Sequence, residues 1–283
     1  MARAPAKINL FLHVGDKRAD GYHALQSLVA FTSAGDELSF APADTLSLTI
    51  GGPFGESLSA GPDNLIVKAA QLLSGSKAAA ITLTKNLPIA SGIGGGSTDS
   101  AATLRGLNGL WDLGLGIAEL QRIGAMLGSD VPVCITCRPQ WMEGRGEIVT
   151  ELPSLPELPI VLVNPGVGVS TGEVFAAMGE RHGVDLPLPA EFADAADLIA
   201  YLRTTANDME TPAREIAPVI GELLDIIAAQ GALLTRMSGS GATCFGLFES
   251  DTVAARAADA ILAAHPEWWA VATRLIAADE ISE

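Results

Sequence analysis

The sequence has few positive charges and no long apolar run. Lysine and arginine number 17 against 33 acidic residues, so the formal net charge is −16. Nucleic acids and anionic membranes attract proteins through basic surfaces, and we therefore expect neither as a partner. No uninterrupted apolar stretch approaches the roughly 18 residues of a membrane span. The apolar run near the N-terminus has no signal-peptide cleavage site, which predicts a cytoplasmic protein.

Cysteine is also scarce, with three residues in a chain of 283. An odd number without a secretion signal argues against a disulfide framework. Cys134 and Cys137 have the C-x-x-C spacing of zinc and redox sites, but no second pair of ligands stands near them. We predict instead a buried strand over VPVCITC, with the two cysteines on opposite faces. No metal site formed by the protein alone is expected.

The remaining composition favours a globular protein with both helices and strands. Hydrophobic residues make up 48% of the chain, and the 30 glycines cluster in a few places. Three prolines in 150–159 mark a boundary between two halves, residues 1–152 and 153–283. In the first half the apolar patterns predict strands at 5–14, 24–31, 36–40, 46–50 and 81–88, and helices at 64–73, 97–110 and 117–127. In the second half they predict helices at 194–204 and 213–229 among further strands.

A glycine loop at the end of a predicted strand is the strongest local signal. Gly92, Gly94, Gly95 and Gly96 precede Ser97 and Thr98, which open a helix. Glycines let the backbone approach a ligand, and a helix start offers free N–H groups, so the loop suits a di- or triphosphate. No lysine follows as in the Walker A motif, and the acidic residue of a Rossmann fingerprint is missing. A tight turn without a ligand is the alternative.

Three segments together resemble the motifs of the GHMP kinases, the family of galactokinase, homoserine kinase and mevalonate kinase. They are PAKINL at 5–10, the P-x-x-x-G-I-G-G-G-S-T-D loop at 88–99 and MSGSGAT at 237–243. The resemblance implies an α+β fold of two domains, with an N-terminal domain like ribosomal protein S5 domain 2 and a ferredoxin-like C-terminal domain. It also implies ATP as co-substrate together with Mg²⁺.

Further segments resemble one branch of this family. KRADGYH at 17–23, GSDVP at 128–132 and EGRGE at 143–147 are similar to kinases that phosphorylate the 2-hydroxyl of a methylerythritol carrying cytidine diphosphate. That reaction belongs to the non-mevalonate pathway to isoprenoid precursors. The chain departs from the branch at VCITCRPQWM, residues 133–142, where a small strand end containing glycine is usual.

The resemblance assigns roles to individual residues. Lys7 and Asp130 become the catalytic pair at the acceptor hydroxyl and the γ-phosphate, and whether Asp130 takes the proton or only orients the hydroxyl stays open. Tyr22 and Phe175 would sandwich the cytosine, and the further substrate-binding candidates are His23, Asn9 and Thr171. The ATP-binding candidates are Asn64 and Lys85 near the adenine, with Pro88, Gly92, Gly94, Gly95, Gly96, Ser97 and Thr98 in the loop.

Three other functions are open at this point. Another GHMP kinase, of the homoserine or mevalonate type, would share the loop but not the GYH segment. A nucleotide-binding protein without catalysis would not need both Lys7 and Asp130. A nicotinamide-dependent dehydrogenase would need the acidic residue that binds the ribose. We expect a monomer or a weak homodimer.

Overall fold

Two β-sheets organise the computed structural model, which describes residues 1–19, 21–152, 154–179, 183, 185–189 and 191–276. The larger sheet contains β1 (Ala2–Lys17), β2 (His23–Pro42), β3 (Ser47–Gly51), β4 (Ala79–Thr84), β5 (Gln140–Gly144) and β6 (Ile148–Glu151). Its order is β3-β4-β2-β5-β6, with β1 paired to β2. The pairs are antiparallel except β3 with β4.

The strand β2 is longer than its sequence pattern predicts. The two short strands expected at 24–31 and 36–40 are one continuous element of 20 residues. Its first part pairs with β5 and its last part with β4, while β1 runs along most of its length. The strand β1 likewise extends beyond the predicted 5–14 and includes Gly15–Lys17, which were expected in a loop.

Four helices of the described residues accompany this sheet: α1 (Leu65–Ser74), α2 (Gly95–Leu110), α3 (Ile117–Gly124) and α4 (Val131–Cys134). The side chain of Asn64 caps α1 by accepting the Ile66 N–H at 2.9 Å. Helix α2 is buried along its small residues, so it packs closely on β1 and β2. This packing fixes the direction of its N-terminal end.

The strand predicted over residues 131–137 is wrong. Residues 131–134 form the short helix α4, which Pro132 favours because proline fits the first helical turn. A turn follows, and Cys137 has the left-handed φ of +51°. Cys134 and Cys137 are buried free thiols, and the Cys137 thiol donates to the Cys134 carbonyl at 3.1 Å. The expected placement on opposite faces of a strand is therefore wrong as well.

The smaller sheet belongs to the second half of the chain. It contains β7 (Pro159–Asn164), β8 (Leu234–Met237), β9 (Cys244–Leu247) and β10 (Trp269–Arg274) in the antiparallel order β10-β7-β9-β8. The helices described here are α5 (Thr171–Ala177), α6 (Ala195–Arg203), α7 (Glu210–Ile216), α8 (Val219–Ala229) and α9 (Asp251–Ala264). The single helix predicted at 213–229 is divided because Pro218 cannot continue α7.

The strand β1 connects the two halves. Leu12 exchanges backbone hydrogen bonds with Ala206 and Asp208, at 3.0 and 2.9 Å. The buried guanidinium of Arg236 on β8 donates to the Leu10 carbonyl at 2.6 Å. An apolar cluster also joins β1 to β7 and α6. The division at 152/153 therefore stays a prediction, because the core continues across it.

None of the helices in the described ranges is long and apolar enough to cross a bilayer.

Candidate active site

The glycine loop turns sharply where it packs against the loop that follows β8. Gly92 and Gly94 have positive φ values of +77° and +64°. A Cβ atom on Gly92 would lie 2.5 Å from the Ser238 carbonyl oxygen, so a side chain has no room there. Helix α2 begins directly afterwards, and its first internal bond runs from the Thr98 N–H to Gly94. The N–H groups that precede Thr98 have no partner inside the helix and can bind an anion.

Two cavities open on this loop. The first, which we call the loop cavity, has a volume of about 380 Å³. Leu58, Leu65 and Leu83 contribute apolar side chains to its wall, and the start of α2 lines it as well. It is lined by eight of the predicted ATP-binding residues, namely Asn64, Lys85, Pro88, Gly92, Gly94, Gly95, Gly96 and Ser97.

Thr98 differs from the other predicted ATP-binding residues. It is fully buried, and its hydroxyl donates to the Gly95 carbonyl at 2.9 Å. Its N–H is used by the helix. Thr98 is not part of either cavity wall, because its polar groups are turned into α2 itself.

Beneath the loop cavity lies a buried triad of ionisable residues, Asp36, Lys85 and Asp99. The Lys85 ammonium is 2.5 Å from Asp36 Oδ2 and 2.7 Å from Asp99 Oδ2. Burial lowers the pKa of Lys85, but the two carboxylates outweigh it and the pKa is raised. Burial, with Asp36 nearby, raises the pKa of Asp99 to about 7, although Lys85 opposes the change. Lys85 thus joins β2, β4 and α2 below the phosphate-binding end of the helix.

The second cavity, the cleft cavity, lies between the two halves of the chain. It has a volume of about 510 Å³. Its lining includes the predicted residues Lys7, Asn9, Tyr22, His23, Asp130, Thr171 and Phe175. Ala90, Gly92, Gly94 and Ser97 line both cavities. The two cavities therefore meet at the glycine loop.

Lys7 and Asp130 form an ion pair at this meeting point. The Lys7 ammonium lies 2.8 Å from Asp130 Oδ2 and 3.2 Å from Asn9 Oδ1. Lys7 is buried, whereas the Asp130 side chain is 38% exposed towards the cleft. The charge of Lys7 outweighs the effect of burial and holds the pKa of Asp130 below its usual value. The carboxylate is thus ionised at neutral pH and accessible from the cleft.

Hydrogen bonds connect β1, the strand of Lys7, to the glycine loop and to the loop that follows β8. The Lys7 N–H donates to the Ile93 carbonyl at 2.9 Å. The buried Ser238 hydroxyl accepts the Asn9 N–H at 3.1 Å and donates to the Gly92 carbonyl at 3.1 Å. Ser238 therefore bridges β1 and the glycine loop from the second half of the chain.

The outer part of the cleft cavity contains the aromatic residues expected to bind a base. The rings of His23 and Phe175 are nearly parallel, 13° apart, with centroids at 5.5 Å. The Arg145 guanidinium carbon lies 5.0 Å from the centre of the exposed Tyr22 ring. His23 Nδ1 lies 3.1 Å from the Gly15 carbonyl, which fixes the ring plane. Thr171 bonds to the Ser240 hydroxyl at 2.7 Å.

Several further residues shape this site although their positions in the sequence do not indicate it. Asp36 and Asp99 support Lys85, Ser238 connects the loops, and Arg145 packs on Tyr22. Asn207 holds the third motif by donating to the Met237 and Gly239 carbonyls, each at 2.8 Å. Asp99 and Ser238 stand inside the motifs quoted above, whereas Asp36 has no local sequence signal.

Comparison with known proteins agrees with these motifs. The sequence matches the family model for the GHMP kinases N terminal domain over residues 64–138 and that for the GHMP kinases C terminal region over residues 188–267. A protein of Paracoccus denitrificans named 4-diphosphocytidyl-2-C-methyl-D-erythritol kinase is 50% identical over 273 residues, covering 96% of this chain and 95% of the relative.

Solved structures agree as well. A crystal structure of 4-(cytidine 5'-diphospho)-2C-methyl-D-erythritol kinase has a TM-score of 0.81 at 34% identity, covering 96% of this chain and 98% of that one. Homoserine kinase from Cytophaga hutchinsonii has a TM-score of 0.67 at 17% identity, with 97% and 93% of the two chains covered. The second likeness concerns the fold alone.

Proposed function

Because the chain belongs to the GHMP kinase family, we propose that it transfers the γ-phosphate of ATP to the 2-hydroxyl of 4-diphosphocytidyl-2-C-methyl-D-erythritol. This reaction is a step of the non-mevalonate route to isoprenoid precursors. The relatives that carry this name cover 96% of the chain.

One observation carries the proposal: the Lys7–Asp130 pair stands where the loop cavity meets the cleft cavity. A nucleotide in the loop cavity would direct its terminal phosphate towards Gly94, where an added Cβ atom would lie 3.1 Å from Lys7 Cβ. An acceptor in the cleft cavity would bring a hydroxyl to Asp130. The Lys7 ammonium and the Asp130 carboxylate are 2.8 Å apart, so a phosphate held by Lys7 and a hydroxyl held by Asp130 would be neighbours, as direct transfer requires.

In the proposed complex ATP occupies the loop cavity. The adenine rests on the apolar side chains beside Asn64, and the phosphates meet the free N–H groups of α2 and the Ser97 hydroxyl. The described residues contain no group of three or more His, Cys, Asp or Glu side chains suited to a metal ion. We therefore propose that Mg²⁺ arrives on the phosphates, whose negative charge it partly neutralises.

The chemical step needs positioning and charge more than covalent help. The acceptor oxygen forms a bond to the γ-phosphorus as the bond to the bridging β,γ-oxygen breaks, and ADP leaves with that electron pair. The Lys7 ammonium stabilises charge on the transferring group. Asp130 accepts a hydrogen bond from the hydroxyl, and its lowered pKa makes it a weak base. This supports orientation of the hydroxyl first, with the proton leaving towards Asp130 as the new bond forms.

The cytidine end of the acceptor would occupy the outer cleft. We propose that the base enters beside the His23–Phe175 pair and rests on Tyr22, since stacked aromatic rings favour such contacts. His23 backbone groups then bind the edge of the base. Asn9 and Thr171 line the cavity between the base and the reacting hydroxyl, where they can contact the remainder of the substrate.

An acceptor panel tests this function. Purified protein is incubated with ATP, Mg²⁺ and one acceptor at a time, and ADP release is followed by a coupled assay. We expect turnover with 4-diphosphocytidyl-2-C-methyl-D-erythritol, collapse in Asp130→Asn, and wild-type rates in the matched control Asp225→Asn on the exposed face of α8.

The other results of the panel would contradict the proposal in different ways. Faster turnover of homoserine or mevalonate would keep the kinase and the ATP site but remove the proposed acceptor. Binding of ATP without turnover of any acceptor would favour a protein that only binds nucleotide.

A further inference from the structure

Arg105 contacts the backbone of both elements that carry the ion pair. It lies on α2, within the same helix whose start forms the anion site. Its Nη1 donates to the carbonyls of Cys134 and Ile135 at 3.0 and 3.1 Å, and its Nη2 donates to the Arg3 carbonyl at 2.9 Å. One planar guanidinium therefore joins α2, the end of α4 and the beginning of β1.

The two backbone segments that Arg105 contacts lie close in sequence to Asp130 and to Lys7. Asp130 directly precedes α4, and Cys134 is its last residue. Arg3 stands four residues before Lys7 on the same extended strand, about 13 Å away at the usual rise of a strand. A helix of four residues cannot hold its own position, because its end carbonyls have no partners within the helix. The positive guanidinium satisfies two of these carbonyls where the helix dipole favours a cation.

The segment 133–142 contributes the rest of this arrangement. Cys137 adopts the left-handed φ that usually calls for glycine, and its sulfur lies 3.5 Å from Arg105 Nη1. The buried Gln140 amide donates to the Val133 and Arg138 carbonyls at 2.7 and 3.1 Å. Arg105 and Gln140 thus fix the turn after α4 from two sides.

We propose that Arg105 is a positioning residue that sets the separation of Lys7 and Asp130 through the backbones of β1 and α4. The inference rests on the proposed kinase function for its kinetic consequences. Its structural consequences are independent of that function, because the ion pair between Lys7 and Asp130 can be followed without turnover.

Loss of Arg105 has two expected effects. The distance between Lys7 and Asp130 becomes less well defined. We therefore expect kcat to fall by about 10- to 100-fold, because a displacement of about 1 Å at an active site can cause a loss of this size. The KM for ATP changes little, because the loop cavity is lined by residues that Arg105 does not touch. The pKa of Asp130 also rises towards its ordinary value, since Lys7 is the charged group that lowers it.

The test compares Arg105→Met and Arg105→Lys with Arg122→Met, a matched control. Arg122 is an exposed arginine on α3 that pairs with Glu119. The pKa of Asp130 is followed by carbon NMR of carboxyl-labelled aspartate, assigned through Asp130→Asn, and kcat and KM are measured with the thermal midpoint. Arg105→Lys keeps the charge but not the planar fork, so we expect it to rescue stability more than kcat.

A lower thermal midpoint with unchanged kcat and an unchanged Asp130 titration in folded Arg105→Lys would overturn the proposal and leave Arg105 a purely structural residue. If the wild type turned over no acceptor, the proposed function would fail. The NMR titration would then still decide whether Arg105 controls the ion pair.

Discussion

Replacing Ser238 with alanine removes the bridge between β1 and the glycine loop. Ser238 is fully buried, and its hydroxyl is bonded to the Asn9 N–H and the Gly92 carbonyl. The alanine keeps the backbone bond from residue 238 to Thr243, so the loss is confined to the hydroxyl. The Asn9 N–H and the Gly92 carbonyl then lose their hydrogen-bond partner.

The size of the effect follows from these two groups. A buried donor or acceptor left without its partner costs about 1–3 kcal/mol, so the loss of both partners should lower the free energy of unfolding of Ser238→Ala by about 2–6 kcal/mol. Asn9 lies two residues from Lys7, and its backbone would no longer be held. We therefore also expect kcat to fall by about tenfold or more, because small displacements of a reacting group are costly.

Urea unfolding and steady-state kinetics check both numbers. Ser74→Ala is the matched control, since the Ser74 hydroxyl is exposed and bonds only locally, to the Gln71 carbonyl at 3.2 Å. A surface change of this kind shifts stability by less than about 0.5 kcal/mol. If Ser238→Ala behaved like the control in both assays, the bridge would not hold the site together.

Three further changes test separate parts of the site. The pKa of Asp99 is raised to about 7 in the folded state, so its contribution to the free energy of unfolding should fall as pH rises from about 4 to 7, by at most about 1.4 kcal/mol per pH unit. Asp99→Asn should lose this slope in urea unfolding, and an equal slope in both proteins would disprove the assignment. Gly92→Ala should lose the thermal shift produced by ATP because its Cβ would meet the Ser238 carbonyl, whereas Gly109→Ala, with open space around it, should keep the shift. Phe175→Ala should raise KM for the cytidine-bearing acceptor and leave KM for ATP unchanged, and the opposite pattern would remove Phe175 from the acceptor site.

The sequence was sufficient for the fold class because the three motifs stand in one order along the chain. The two-domain GHMP kinase fold of mixed α and β content is confirmed. Most elements were also predicted, since their apolar periodicity extends over many residues. The segment 131–137 was not, because a short apolar run is equally consistent with a strand and with a buried helical turn. Pro132 was the available sign of a helix start.

The candidate site also contains features that the sequence predicted and features that it did not. Lys7 and Asp130 are 123 positions apart, and only the family resemblance suggested that they meet. The structure brings them to 2.8 Å, but their roles stay proposals. The partners of Lys85 could not be predicted, because Asp36 lies 49 positions away and composition alone makes a surface lysine the simpler expectation. Long-range pairs of buried charges have no periodic signature in sequence.

The most direct test of the central claim identifies the product. Wild-type protein is incubated with ATP, Mg²⁺ and 4-diphosphocytidyl-2-C-methyl-D-erythritol, and phosphorus NMR follows the mixture. The proposed function predicts one new phosphomonoester on the 2-hydroxyl for each ADP formed, an intact cytidine diphosphate, and neither signal with Asp130→Asn. A phosphate on another hydroxyl, or ADP without a phosphorylated acceptor, would contradict it.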